Sequence, residues 1–225
     1  MRYIASFDDL YLTEVGNKFY QLSIISKVGS VPPAFCLKNI AFNQSLPPSA
    51  RIEIEKRLIL LKSNGGYGLS RIQKEIEKEL DKINIPLEIL TEIESVASEL
   101  SVNWTKLLIV RSSSCFEDGE EYSGAGIYLS VPDVQNEIDL KQAVINCWKA
   151  SFSLQALAHR LRMHEFDIDP MPGLIIQVQV WAEYSGVVFS TDPLSKTHAI
   201  MVEYTQGDTS GIESGEGIRI REGIR

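Results

Sequence analysis

The apolar positions of this chain change period along its length. Over the first thirty or so residues, short apolar and polar stretches alternate. They end on Val31-Pro32-Pro33, where two prolines favour extended backbone and exclude helix. From about residue 47 to residue 100 the spacing becomes helical. Ile72, Ile76, Leu80 and Ile83 recur at intervals of four, four and three with Lys and Glu between them, which predicts an amphipathic helix over 69–83 with one buried stripe. Residues 49–62 and 86–100 carry the same pattern, and Pro86 suits a helix start because the first helical N–H has no partner to lose.

Ser63-Asn64-Gly65-Gly66-Tyr67-Gly68 separates the first two of these helices. A phosphate-cradling loop sets its glycines between a strand and a following helix; these follow a helix, so the segment is read as an inter-helix turn. Strand character returns at Leu107-Leu108-Ile109-Val110, which ends on Arg111, and again at 127–131 after a Gly-rich turn. One long helix is expected over 137–164, with Leu140, Val144, Cys147, Trp148, Leu154, Leu157 and Leu161 near one side. Strands are expected over 174–181, 186–189 and 199–204. The tail from 206 to 225 is rich in Gly, Glu and Arg and reads as loop, or as an element separated from its partners. No internal repeat is present.

A length of 225 residues with 44% hydrophobic content allows a sizeable core and excludes disorder for most of the chain. The net charge of -8 argues against a nucleic-acid or anionic-membrane surface, while leaving room for a local basic pocket. No apolar run is long enough to span a bilayer. Cys36, Cys115 and Cys147 lie far apart, without CxxC spacing and without a signal-like N-terminus, so a reducing cytoplasm is expected. Cys36 and Cys147 sit in apolar runs and are read as buried thiols; Cys115, beside a Ser-rich stretch, is the one cysteine left open as a nucleophile.

The segment richest in chemistry is Arg111-Ser112-Ser113-Ser114, followed by Glu117-Asp118 and by Ser123-Gly124-Ala125-Gly126. A strand that delivers an Arg into a loop of hydroxyls and glycines can build an anion site, because the guanidinium grips two oxygens and free backbone N–H groups complete the shell. The same residues also suit a strand-ending Arg paired with Glu117 or Asp118. On the residues alone the two readings stand level.

Several separated segments, taken in order, resemble the N-terminal AMP/ATP-binding domain of the phosphoenolpyruvate synthase and pyruvate phosphate dikinase family. They are Val15-Gly16-Asn17-Lys18, Val31-Pro32-Pro33, Val110-Arg111-Ser112-Ser113 with Glu117-Asp118, and Tyr122-Ser123-Gly124. Further along come Cys147-Trp148-Lys149-Ala150-Ser151-Phe152, Ile175-Ile176-Gln177-Val178 and Ser185-Gly186-Val187-Val188-Phe189. The likeness covers most of residues 13–204.

The resemblance implies an α+β fold of ATP-grasp type, a two-lobed nucleotide-binding domain truncated at its C-terminus. Residues 1–105 would form an N-terminal lobe of strands followed by helices, and 106–225 part of the nucleotide-binding lobe. It implies ATP and Mg2+ as cofactors, with Lys18 and Arg111 as catalytic residues on the phosphates, Ser112 as a further nucleotide contact, Gly124 letting backbone approach the phosphates, and Gln177 on the adenine edge. Glu203, which closes an Ile-Met-Val-Glu strand, is read as a ribose or metal contact or as a structural carboxylate. The metal ligands stay unassigned, because the chain ends upstream of where the family supplies its acidic residue; alone, the fragment is expected to be inactive.

The implied activity is a phosphotransferase that phosphorylates a carrier histidine on a swivelling domain in cis or in trans, so His159, His164 and His198 are not assigned as that carrier. The final acceptor could be pyruvate, water and phosphate, a glucan or a small antibiotic. The alternatives are a non-catalytic nucleotide-binding or interaction module of the same fold, and a different ATP-grasp ligase.

Overall fold

A computed structural model describes residues 2–113, 129–164, 166–169, 171–191, 199–207 and 217–223. The chain divides into two units, Met1–Gln179 and Val180–Arg225. The lobe boundary expected at residue 105 therefore falls inside the first unit.

The first unit is built on a five-stranded antiparallel sheet in the order β1-β2-β5-β3-β4, comprising β1 (Ile4–Ala5), β2 (Ala34–Leu37), β3 (Leu108–Ser113), β4 (Ser130–Val134) and β5 (Gly173–Val178). Strand alternation sorts its side chains. Phe35, Leu37, Leu108, Val110, Leu174 and Ile176 join a large core formed with the helices α2 (Ile40–Ser45), α3 (Pro48–Ser63), α4 (Leu69–Leu80), α5 (Leu87–Leu100), α6 (Glu137–Ala150) and α7 (Leu154–Met163). The opposite face meets α1 (Leu12–Ile25) through a small separate core of Ala5, Val15, Phe19, Cys36 and Ile175.

The helices keep the expected stripes. Ile72, Ile76 and Leu80 of α4 are buried, as are Ala50, Ile54, Leu58 and Leu61 of α3 and Ile89, Ile93 and Ala97 of α5. Residues 64–68 form the turn between α3 and α4, with Ser63 closing α3. The single helix expected over 137–164 is two. Ser153 accepts a hydrogen bond from the Ala156 N–H at 3.2 Å and starts α7, so a side-chain cap competes with continuation of α6. Phe152, at the break, is buried against Phe42 and lies under the Arg160 guanidinium, 5.0 Å from ring centre to Cζ.

A helix over residues 12–25 was not expected among the alternating N-terminal stretches. Gly16, at φ 75° and ψ 171°, divides α1 into two helical pieces, so no single apolar period runs through it.

The second unit is a three-stranded antiparallel sheet in the order β6-β7-β8: β6 (Tyr184–Phe189), β7 (Ala199–Gln206) and β8 (Ile218–Gly223). Met201 and Glu203 are buried on one face, whereas Val188, Ile218 and Ile220 on the other are exposed. β8 lies in the tail read as loop or as an element separated from its partners. Its Ile218-Arg219-Ile220-Arg221 run alternates with the period of a strand.

Candidate nucleotide site

The sheet face that carries α1 also carries Arg111. Arg111 pairs with Ile175 of β5, and Ile109, two residues earlier, pairs with Gln177, so Arg111, Ile175 and Gln177 share this face. α1 lies over one end of it. Its residues Lys18, Gln21, Leu22 and Ile25, with Arg111 and Ile175, line a cleft of about 190 Å³. Two cationic side chains from distant parts of the sequence thus open onto one small depression.

The backbone around Gly16 determines where Lys18 stands. The first turn of α1 is tied to the end of β2: Asn39 donates from its side chain to the Thr13 carbonyl at 2.8 Å, and Lys38 pairs with Glu14 at 3.0 Å. At Gly16 the chain takes a left-handed φ, and a Cβ there would lie 1.8 Å from the Ser113 carbonyl oxygen. A Cβ on Gly173 would likewise lie 2.7 Å from the Val15 carbonyl oxygen. Only glycine at both positions lets the strand ends of β3 and β5 seat against the kink.

Gln177 is buried, and its side-chain amide donates to the Pro32 carbonyl at 3.1 Å. The Val178 N–H donates to the Pro33 carbonyl at 3.0 Å, so the proline pair noted in the sequence is the segment that leads β2 onto β5. Ser112 pairs with Leu174, on the face turned toward the large helical core, and is buried there. The Ser112 side chain is therefore on the opposite side of the sheet from Arg111. Ser113 is on the site face, fully buried, and accepts from the Phe19 N–H at 3.0 Å. Counting two residues on from Arg111 would have singled it out. Gly124 lies outside the described residues, and Glu203 belongs to the second unit, where it is buried on β7.

Cys36 and Cys147 are buried, as the sequence suggested, and Cys115 lies outside the described residues. Burial raises the Cys36 pKa and pushes that of Cys147 up to about 12. Among the described residues no three carboxylate, histidine or cysteine side chains converge to hold a metal ion. No helix among them is long and apolar enough to cross a membrane.

A mixed domain of helices and antiparallel sheet, with a lysine and an arginine converging on a cleft over one sheet face, has the makings of an anion-binding fold. The chain belongs to the family described as pyruvate phosphate dikinase, AMP/ATP-binding domain, which it matches over residues 12–215. Among its relatives is a rifampicin phosphotransferase of Bacillus cereus, 25% identical over 98% of this chain and 26% of the relative. A probable phosphoenolpyruvate synthase of Methanothermobacter thermautotrophicus is 25% identical over 96% of this chain and 33% of its own length. The prodigiosin synthesizing transferase PigC of Serratia marcescens is 26% identical over 90% of this chain and 21% of its own length. The chain thus spans between a fifth and a third of the length of these relatives.

Proposed function

We propose that this chain is the nucleotide-binding part of a dikinase-type phosphotransferase, and that Lys18 and Arg111 together hold the phosphates of ATP. The observation that carries the reading is their convergence on one cleft from α1 and β3. A guanidinium offers a planar fork of donors to two phosphate oxygens, and an ammonium offers a compact point charge. Bound there, the nucleotide would supply an activated phosphoryl group. The protein's own contribution to such a transfer is positioning and charge neutralisation, which these two residues provide.

The cleft is small, which suits the phosphates rather than a whole nucleotide. The base then lies further along the same face, toward Gln177. One amide hydrogen of Gln177 is committed to Pro32, which orients the side chain and leaves its other polar groups for the adenine edge. Family membership and the mixed helix-and-sheet architecture support the ATP-grasp assignment, and buried, protonated thiols suit a cytoplasmic enzyme. The phosphoryl group would pass to a carrier histidine on another domain. The relatives named as a phosphotransferase and as a probable synthase support phosphotransfer chemistry without fixing the final acceptor.

Photolabelling with an azidoadenine nucleotide, followed by peptide mapping, tests the placement. Label is expected in peptides spanning residues 31–36 and 174–180 and should be chased by unlabelled ATP. Saturable label confined to the α3–α5 helices would overturn it. A second reading is a nucleotide-binding module of the same fold without transfer. It separates from the first in a polypeptide that carries the remaining domains, where only the transferase forms an acid-labile, alkali-stable phosphoprotein from ATP.

A further inference from the structure

We infer that Ser113 is a positioning residue for Lys18: its hydroxyl caps the helical segment that carries Lys18 and so fixes that ammonium opposite Arg111. The inference rests on the reading that Lys18 and Arg111 hold phosphate together. The segment of α1 that opens after Gly16 begins like any helix, with N–H groups that have no acceptor in their own turn. Such groups are ordinarily met by the side-chain oxygen of the residue just before the first turn, which accepts from the N–H two or three positions on. Here that residue is glycine and has no side chain to offer.

The acceptor comes instead from 94 residues away. Ser113 Oγ accepts from the N–H of Phe19, three positions after Gly16, at 3.0 Å in a buried setting. The two residues depend on each other. A serine or aspartate at position 16 could cap the segment itself, but its Cβ would strike the Ser113 carbonyl oxygen at 1.8 Å, and the φ of 75° disfavours any side chain. With glycine the strand end closes in, and its serine supplies the missing cap.

The consequence reaches the site because Ser113 lies two residues beyond Arg111 on the same strand and the same face, roughly 6.6 Å along the backbone. Lys18 is the residue immediately before Phe19. The spacing between the two cations therefore passes through one strand step and one buried hydrogen bond.

Two measurements on Ser113→Ala and the near-isosteric Ser113→Cys test this. Cys keeps the packing if Ala leaves a void, and both lose the strong acceptor. In amide hydrogen exchange without ligand, residues 17–20 should exchange about five- to tenfold faster while β2 and β5 are unchanged. Unchanged exchange at residues 17–20 would overturn the cap. In titration with ATP, Ser113→Ala should weaken binding in the wild-type background and have no further effect in Lys18→Ala. Losses that simply add would show that Ser113 acts on the fold and not through Lys18. If the wild-type chain binds no ATP, the phosphate reading fails and the positioning role falls with it, while hydrogen exchange still decides the cap.

Discussion

Single residues fix the site here by what they lack as much as by what they carry. Gly16 and Gly173 allow backbone contacts that a methyl group would block, and the lysine-bearing helix is set by those contacts. Gly16→Ala would place a Cβ inside the radius of the Ser113 carbonyl oxygen and force an alanine to a left-handed φ. It is expected to cost at least ~3 kcal/mol in chemical denaturation. A loss within ~1 kcal/mol of that for an ordinary Gly→Ala change would mean that the kink relaxes freely. Cys36 and Cys147 offer a second residue-scale check. A thiol reacts as its thiolate, and burial holds both groups protonated at neutral pH. In a Cys115→Ser background, native protein at pH 8 should be inert to a disulfide reagent and release two equivalents on unfolding; rapid native labelling would contradict the burial.

Legibility from sequence differed among residues for physical reasons. Arg111 stood out because it closes an apolar run, whereas Lys18 was legible only through the resemblance of Val15-Gly16-Asn17-Lys18 to the family's motif. Ser112 and Ser113 could not be ranked by type, since only the register with β5 decides which of two adjacent serines faces α1. The 94-residue separation between Ser113 and Phe19 left no local pattern to read.

Among elements, the helices with an unbroken period were the readable ones. The stripe of α4 survives as Ile72, Ile76 and Leu80 because nothing interrupts it. α1 was hidden by the register change at Gly16, and the boundary between α6 and α7 by apolar residues that continue past the Ser153 cap. β8 escaped because its short alternation lies in a glycine-rich tail.

Helix pairing also has an electrostatic component. Glu75 of α4 accepts from Arg71 of the same helix and from Arg57 of α3, and these hydrogen bonds, the Arg71 bond foremost, lower its pKa. A carboxyl whose folded pKa is depressed contributes stability above its unfolded pKa and loses that contribution as pH falls through the folded value. Glu75→Gln should therefore lower the melting temperature at pH 7, and the gap from wild type should close below about pH 4. A gap independent of pH would assign the effect to packing.

For the whole molecule, the antiparallel sheet of the first unit keeps two separate economies on its two faces. One face is committed to a large apolar core with six helices. The other holds a small core under α1 and leaves the rest of its area to Arg111, Gln177 and the cleft. That asymmetry was only partly legible: an α+β fold followed from the sequence, but the division of the chain at residue 179 did not, because β5 returns from far along the sequence to the centre of the first sheet. The family, the fold and the two-cation cleft support the proposal that the first unit's site face binds the nucleotide.

Isothermal titration of the 225-residue chain with Mg-ATP, beside Lys18→Ala and Arg111→Ala, tests that convergence most directly. The account expects saturable one-site binding, weakened about tenfold or more in each folded variant, since a charge-assisted hydrogen bond to phosphate is worth roughly 1.5–3 kcal/mol. Saturable binding with unchanged affinity in both variants, or no binding by a well-folded wild-type chain, would contradict it.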